Sequence, residues 1–180
     1  MTPLKILYIC THNRCRSVLS EAITNQYMAK QEKPTQDAAN GNQTDHEPKL
    51  IAKSAGSSPA GEVHPLTLKY LTEAGYSIQG LTSNSWDDSE YMGDFKPDLL
   101  ITVCDNAAGE TCPIWLGSLP GLTKLHWGMA DPSKSTENEE QTKANFEQAI
   151  TTIEQRVAQL LQVAQLPEKE RKQALLDLVK

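Results

Sequence analysis

The sequence predicts an α/β protein: a four-stranded parallel sheet in a three-layer arrangement, with helices on both faces. Three observations carry this. Short apolar runs rich in strand formers alternate with segments of helical hydrophobic spacing. The runs are close to continuously apolar, as strands buried on both faces are. Cys10, Cys104 and Asp131 all fall at or just after the ends of such runs. In sheets of this kind the crossovers are right-handed, and ligands bind beyond the carboxyl ends of the strands.

The first strand is Leu4–Cys10, reading LKILYIC. Polar residues follow at once, and Ser17–Ile23 opens a helix, with Ser17 and Glu21 as a plausible start signal. Gln31–Lys49 carries two prolines, one glycine and no large apolar residue, which predicts a mobile surface insertion rather than a domain boundary. No role is assigned to His46 within it. Leu50–Ser54 is the second strand, and Ala55–Gly61 a loop. Pro65–Ala74 is a helix stopped by Gly75. Asp98–Cys104 is the third strand, and Lys124–Trp127 a short fourth. Gln141–Leu161 is a long helix, with Phe146, Ile150, Ile153, Val157 and Leu160 at helical spacing. Pro167 breaks it, and Glu168–Lys180 is a second amphipathic piece. This predicts one domain over residues 1–166 and a helical tail over 167–180.

A chain of 180 residues suits one such domain with one core. Its 38% hydrophobic and 22% charged residues exclude a fibrous or disordered chain, and no apolar run approaches a bilayer span. The start, Met1-Thr2-Pro3-Leu4-Lys5, lacks a signal layout, so a cytoplasmic protein is expected. Seventeen basic against 23 acidic side chains give a net charge of −6. That balance argues against nucleic acid and acidic membranes as partners. It does not exclude a small anion held by backbone N–H groups and one arginine.

The four cysteines are Cys10, Cys15, Cys104 and Cys112. Their spacings do not resemble paired zinc knuckles, so chemistry is the better reading and no metal site is expected. Cys10-Thr11-His12-Asn13-Arg14-Cys15-Arg16-Ser17 is a C-x5-R-S stretch between a strand and a helix. Such a loop curls its N–H groups inward, and the helix start adds positive potential. Arg16 can clamp two oxygens with its planar fork. The same field favours a Cys10 thiolate, to which Ser17 can donate. Thr11 to Ser17 are therefore the candidate substrate-binding residues. Cys10 is the candidate nucleophile.

The loop CTHNRCRS resembles that of the low-molecular-weight protein tyrosine phosphatases and of the arsenate reductases built on the same fold. The resemblance runs from Leu4 to about Leu161. It implies the strand order 2-1-3-4, Cys10 as nucleophile, Arg16 as oxyanion clamp and Asp131, in Asp131-Pro132, as general acid. Cys104 and Cys112 set the reductases apart, because the thioredoxin-coupled type carries a redox pair in that segment. Seven residues separate the pair here, where six are typical. Ser133-Lys134 stands where the phosphatases usually place an aromatic residue. In the implied strand order Cys10 and Cys104 end neighbouring strands about 4.8 Å apart. A disulfide requires Cα atoms within about 7 Å.

The function implied is arsenate reduction. Cys10 attacks arsenate, Cys104 attacks the Cys10 sulfur as arsenite leaves, and Cys112 takes over the disulfide. No metal or organic cofactor is bound. An external thiol system, thioredoxin or glutathione with glutaredoxin, resets the enzyme. Hydrolysis of phosphate monoesters through a phosphocysteine is the alternative, and a non-catalytic thiol sensor a third reading. Cys15 reads as a packed thiol and Asn13 as a brace that tolerates left-handed backbone. His64, His126, Trp86, Trp115 and Trp127 read as structural, and Glu137, Glu139 and Glu140 as a solvated helix entrance.

Overall fold

The computed structural model describes residues 3–31, 49–104, 119, 121–134 and 138–178. Most of the Gln31–Lys49 insertion lies outside the described residues, as do Cys112, Trp115 and Glu137. The strands are β1 (Leu4–Ile9), β2 (Leu50–Ala55), β3 (Leu99–Thr102) and β4 (Thr123–His126). They form a parallel sheet in the order β2-β1-β3-β4. The helices are α1 (Arg16–Gln31), α2 (Pro65–Glu73), α3 (Ser89–Met92), α4 (Glu139–Ala164) and α5 (Glu168–Asp177).

β1 is a central strand whose apolar run is buried on both faces, which is why its sequence shows no alternation. β2 is an edge strand, and alternation separates its two faces. Ser54 points toward Glu21 of α1, whereas Lys53 lies under the rings of Tyr91 and Phe95 on the opposite face. The free edge of β2 is covered at Ala52, where Asn25 of α1 donates to the carbonyl and accepts from the N–H (2.9 and 2.8 Å). This pairing blunts an edge otherwise open to another strand.

The predicted apolar stripe of α4 is the buried one: Phe146, Ile150, Ile153, Val157 and Leu160 all enter the core. Phe146 stacks on Tyr70 of α2 with centroids 4.6 Å apart. Asn138 caps α4 by accepting from Glu140 N–H, and Glu139 and Glu140 sit in its first turn, complementing the helix dipole. His64 caps α2 in the same way, its Nδ1 accepting from Leu66 N–H.

Sequence and structure differ at the ends. The third strand stops at Thr102, two residues short of Cys104, where the paired register with β1 and β4 ends. The four-residue α3 was not anticipated. Asp88 starts it by accepting from Glu90 and Tyr91 N–H, a cap with no periodic pattern behind it. The tail carries α5, which packs on α4 and β4. Arg171 of α5 is 7% exposed and donates to the carbonyls of Ala164, the last residue of α4, and Leu166, just beyond it (2.8 and 3.1 Å). Removing it strands buried acceptors, so Arg171→Ala is expected to cost about 2–3 kcal/mol in urea unfolding.

Candidate active site

The loop between β1 and α1 turns its carbonyls outward. Thr11 O accepts from Ser58 N–H, His12 O from Ala60 N–H and Arg14 O from His64 N–H, each at 2.9 Å. Ser83 and Thr67 hydroxyls add bonds to His12 O and Arg14 O. Among the described residues all peptides are trans. An outward carbonyl therefore turns the following N–H inward, which points the amides of His12, Asn13 and Cys15 at the loop centre. A pocket of about 230 Å³ opens there, walled by Cys10, His12, Arg14, Cys15 and Arg16 on one side and by Asp131 and Ser133 on the other. His12 and Arg14 are exposed at its mouth.

Asn13 locks this geometry. It is fully buried and has φ of 45°, a left-handed conformation that asparagine tolerates. Its Nδ2 donates to Ser17 Oγ (2.8 Å) and Ser54 Oγ (2.9 Å), and its Oδ1 accepts from Asn84 N–H (2.8 Å). Because Ser17 Oγ accepts from Asn13, its own hydrogen is free to point at Cys10 Sγ, 2.9 Å away. That arrangement aims a hydroxyl donor at the sulfur of the candidate nucleophile.

Behind the lock sits Glu21. Ser54 Oγ donates to Glu21 Oε2 (3.4 Å) and the Tyr91 hydroxyl to Oε1 (3.2 Å). Burial pushes the Glu21 carboxyl up to about 7, against the pull of Tyr91, Ser54 and Lys53. Ser17 and Glu21 therefore do not form the helix-start pair read from sequence. Both are buried, and their side chains serve the loop instead.

Gly56, just past β2, allows the loop its close approach. A Cβ there would stand 2.5 Å from Thr11 O and 2.8 Å from Cys10 O, backbone atoms with no room to move. Arg16 Nη1 donates to Met129 O (3.0 Å), so the candidate oxyanion clamp also grips the loop leading to Asp131. Asp131 Oδ1 accepts from Ser133 N–H (2.9 Å) and Ser133 Oγ (2.6 Å), which leaves Oδ2 unengaged by these bonds. Cys15 is buried, and burial pushes its thiol up to about 12. Cys104 is 4% exposed, and its Sγ lies 3.7 Å from Thr11 Oγ1, one residue past Cys10. Cys10, Cys15 and Cys104 are all free thiols.

The structure thus gathers Cys10, Thr11, His12, Asn13, Arg14, Cys15, Arg16, Ser17, Cys104 and Asp131 at one rim of the sheet. Cys112 cannot be placed beside them, lying outside the described residues. Burial holds His64 below the usual histidine range, consistent with its capping role. His126 Nδ1 lies 2.7 Å from Thr102 Oγ1 across the β3–β4 pair. Among the described residues no group of three or more His, Cys, Asp or Glu is gathered as metal ligands. Sequence reasoning missed Glu21, Ser54, Gly56 and Asn84. The available signal was Ser54-Ala55-Gly56 ending a strand beside the loop, since an isolated glycine there marks close backbone approach.

Comparison with known proteins places this geometry. A family model described as low molecular weight phosphotyrosine protein phosphatase matches residues 5–173. An arsenate reductase of Bacillus subtilis is 30% identical over 154 residues, covering 85% of this chain and 92% of that protein. An arsenate reductase of Bacillus licheniformis is 28% identical over 157 residues, covering 87% and 94%. Among solved structures, a thioredoxin-dependent arsenate reductase of Corynebacterium glutamicum superposes with a TM-score of 0.58 at 25% identity over 91% of this chain; the chain spans 63% of that structure. A low molecular weight protein tyrosine phosphatase of T. tengcongensis gives a TM-score of 0.58 at 19% identity, covering 86% and 98%, a likeness of fold.

Two outcomes are expected. Gly56→Ala should displace the Cys10–Thr11 backbone and weaken inorganic phosphate binding, read by calorimetry, by roughly tenfold or more, with the sheet intact by circular dichroism. Glu21 provides the second. Its carboxyl binds a proton more tightly folded than unfolded, its ordinary value being 4.5. Its stabilising contribution is full below about 4.5 and is lost as pH rises toward about 7. Glu21→Gln should remove a decline on the order of 3 kcal/mol across that window in urea unfolding.

Proposed function

The chain belongs to the low molecular weight phosphotyrosine protein phosphatase family, and within that family we propose that it is a cytoplasmic arsenate reductase. The observation that carries the reading is Cys104. A phosphatase has no use for a buried thiol at the end of the neighbouring strand, yet Cys104 Sγ stands 3.7 Å from Thr11 Oγ1. The names of the Bacillus and Corynebacterium relatives support the same reaction. So does Ser133, where a phosphotyrosine platform would want an aromatic ring.

In this scheme the loop amides and Arg16 hold arsenate, and the Cys10 thiolate attacks arsenic. Asp131 delivers a proton from Oδ2 to the departing oxygen, which leaves as water. Cys104 then attacks Cys10 Sγ. The As–S bond breaks, its electron pair stays on arsenic, and arsenite departs from a Cys10–Cys104 disulfide. Cys112 attacks Cys104 Sγ and frees the Cys10 thiolate. The Cys104–Cys112 disulfide is reset by an external dithiol, thioredoxin or the glutathione and glutaredoxin system. Thr11, His12, Asn13, Arg14, Cys15 and Ser17 shape the cradle. The high proton affinity of Cys15 keeps it out of the exchange at neutral pH. Residues 1–166 form the catalytic domain in this reading, with 167–180 as its tail.

The test is a single turnover of fully reduced protein with arsenate and no added reductant. About one arsenite per protein and a Cys104–Cys112 bond by mass spectrometry are expected, and Cys104→Ser should release none. Four free thiols and no arsenite would contradict the reading. Hydrolysis of an aryl phosphate at full rate in Cys104→Ser would favour a phosphatase instead.

A further inference from the structure

The loop from Trp127 to Asp131 is held by arginines from two sides. Arg16 takes Met129 O, as described. Arg156, on α4, takes the two carbonyls before it: Nη1 donates to Trp127 O (2.8 Å) and Nη2 to Gly128 O (3.3 Å). Its guanidinium also lies over the Trp127 ring, 5.5 Å from the centroid. Among the described residues, the loop also bonds to the β3 end through Trp127 N–H to Thr102 O and Met129 N–H to Val103 O (2.9 and 3.2 Å).

Arg156 is an odd choice for this place. The rest of its helix stripe, Ile153, Val157 and Leu160, is core. It is half-buried, burial disfavours its charge, and among the described residues no carboxylate pairs with it. A cation kept there without a counter-ion is compensated by carbonyl dipoles and by the aromatic face. A fork reaching two successive carbonyls fixes the tilt of both peptide planes, which a single-point donor does not. Those planes set the direction in which the chain enters Ala130 and Asp131.

We infer that Arg156 is a positioning residue for the candidate proton donor: it aims Asp131 at the loop centre by fixing the Trp127 and Gly128 carbonyls. The inference rests on the reading of Asp131 as general acid. It makes Arg156 an outer counterpart of Arg16, one arginine holding the loop from the helix and the other from the anion pocket.

The experiment is a double-mutant cycle of Arg156→Gln and Asp131→Asn, with Arg156→Lys as the conservative variant. Single-turnover arsenite formation gives the rate, and calorimetry with inorganic phosphate gives binding. Arg156→Gln is expected to slow chemistry roughly ten- to hundredfold, since a misplacement near 1 Å costs about that much. Phosphate affinity should stay within about threefold, and Arg156→Lys should fall between wild type and Arg156→Gln. In the Asp131→Asn background, Arg156→Gln should add almost nothing, because its effect passes through the missing carboxyl. Amide exchange at Met129 should rise in Arg156→Gln while β1 amides stay protected.

Full additivity of the two substitutions, or an equal loss of phosphate binding and rate, would overturn the inference and leave the reductase reading standing. If wild type forms no arsenite, that reading fails, and the cycle is decided on hydrolysis of an aryl phosphate with a poor leaving group, where an aimed acid matters equally. Inertness toward both substrates, or an Asp131→Asn variant as fast as wild type, overturns the acid role and Arg156's part in it together.

Discussion

Everything at the rim of this sheet depends on one buried amide. Asn13 ties the loop to β2 through Ser54, to the segment after α2 through Asn84, and to α1 through Ser17. A left-handed residue inside a short loop is costly and persists only when its surroundings over-determine it. Here three hydrogen bonds from one side chain do so. The consequence is electrostatic. Carbonyls bound outward leave amides facing inward, and the candidate anion cradle takes shape without any lysine and in a protein of net charge −6.

A second constraint is burial around the lock. Glu21, Tyr91 and Ser54 close the far side, and their polar atoms are satisfied largely by one another. Such a network is costly if half made and specific if complete. It explains why β2, an edge strand, ends in small residues: Ser54 must reach Asn13, and Gly56 must let two loop carbonyls pass. The opposite wall of the pocket is tethered differently. The loop leading to Asp131 hangs from β4 and is gripped by arginine forks. One wall is therefore locked by a buried hydrogen-bond network and the other by cations on carbonyls. The proposed chemistry uses both, with the nucleophile on the first and the proton donor on the second.

The sequence made the scaffold legible because apolar runs and helical spacing are local signals. The four strands and the buried stripe from Phe146 to Leu160 follow from them. The C-x5-R-S stretch was legible for the same reason, its chemistry lying within eight consecutive residues. What completes the site was not. Ser54 and Asn84 meet Asn13 across 41 and 71 positions, and no periodicity reports such a contact. Ser17 with Glu21 imitates a helix start, because serine and a nearby glutamate suit a cap as well as a buried network. Arg156 looks like any polar residue on a long helix until its two carbonyls are seen. Local patterns specify elements, whereas the polar contacts between elements belong to the folded chain.

If Asn13 builds the candidate anion cradle, its loss is read in inorganic phosphate binding to Asn13→Ala by calorimetry, beside circular dichroism of the same sample. A retained fold and a phosphate affinity lower by roughly tenfold or more, the equivalent of at least one buried hydrogen bond, are expected. Unchanged affinity in a folded Asn13→Ala protein would contradict it, and would place the ordering of the loop elsewhere.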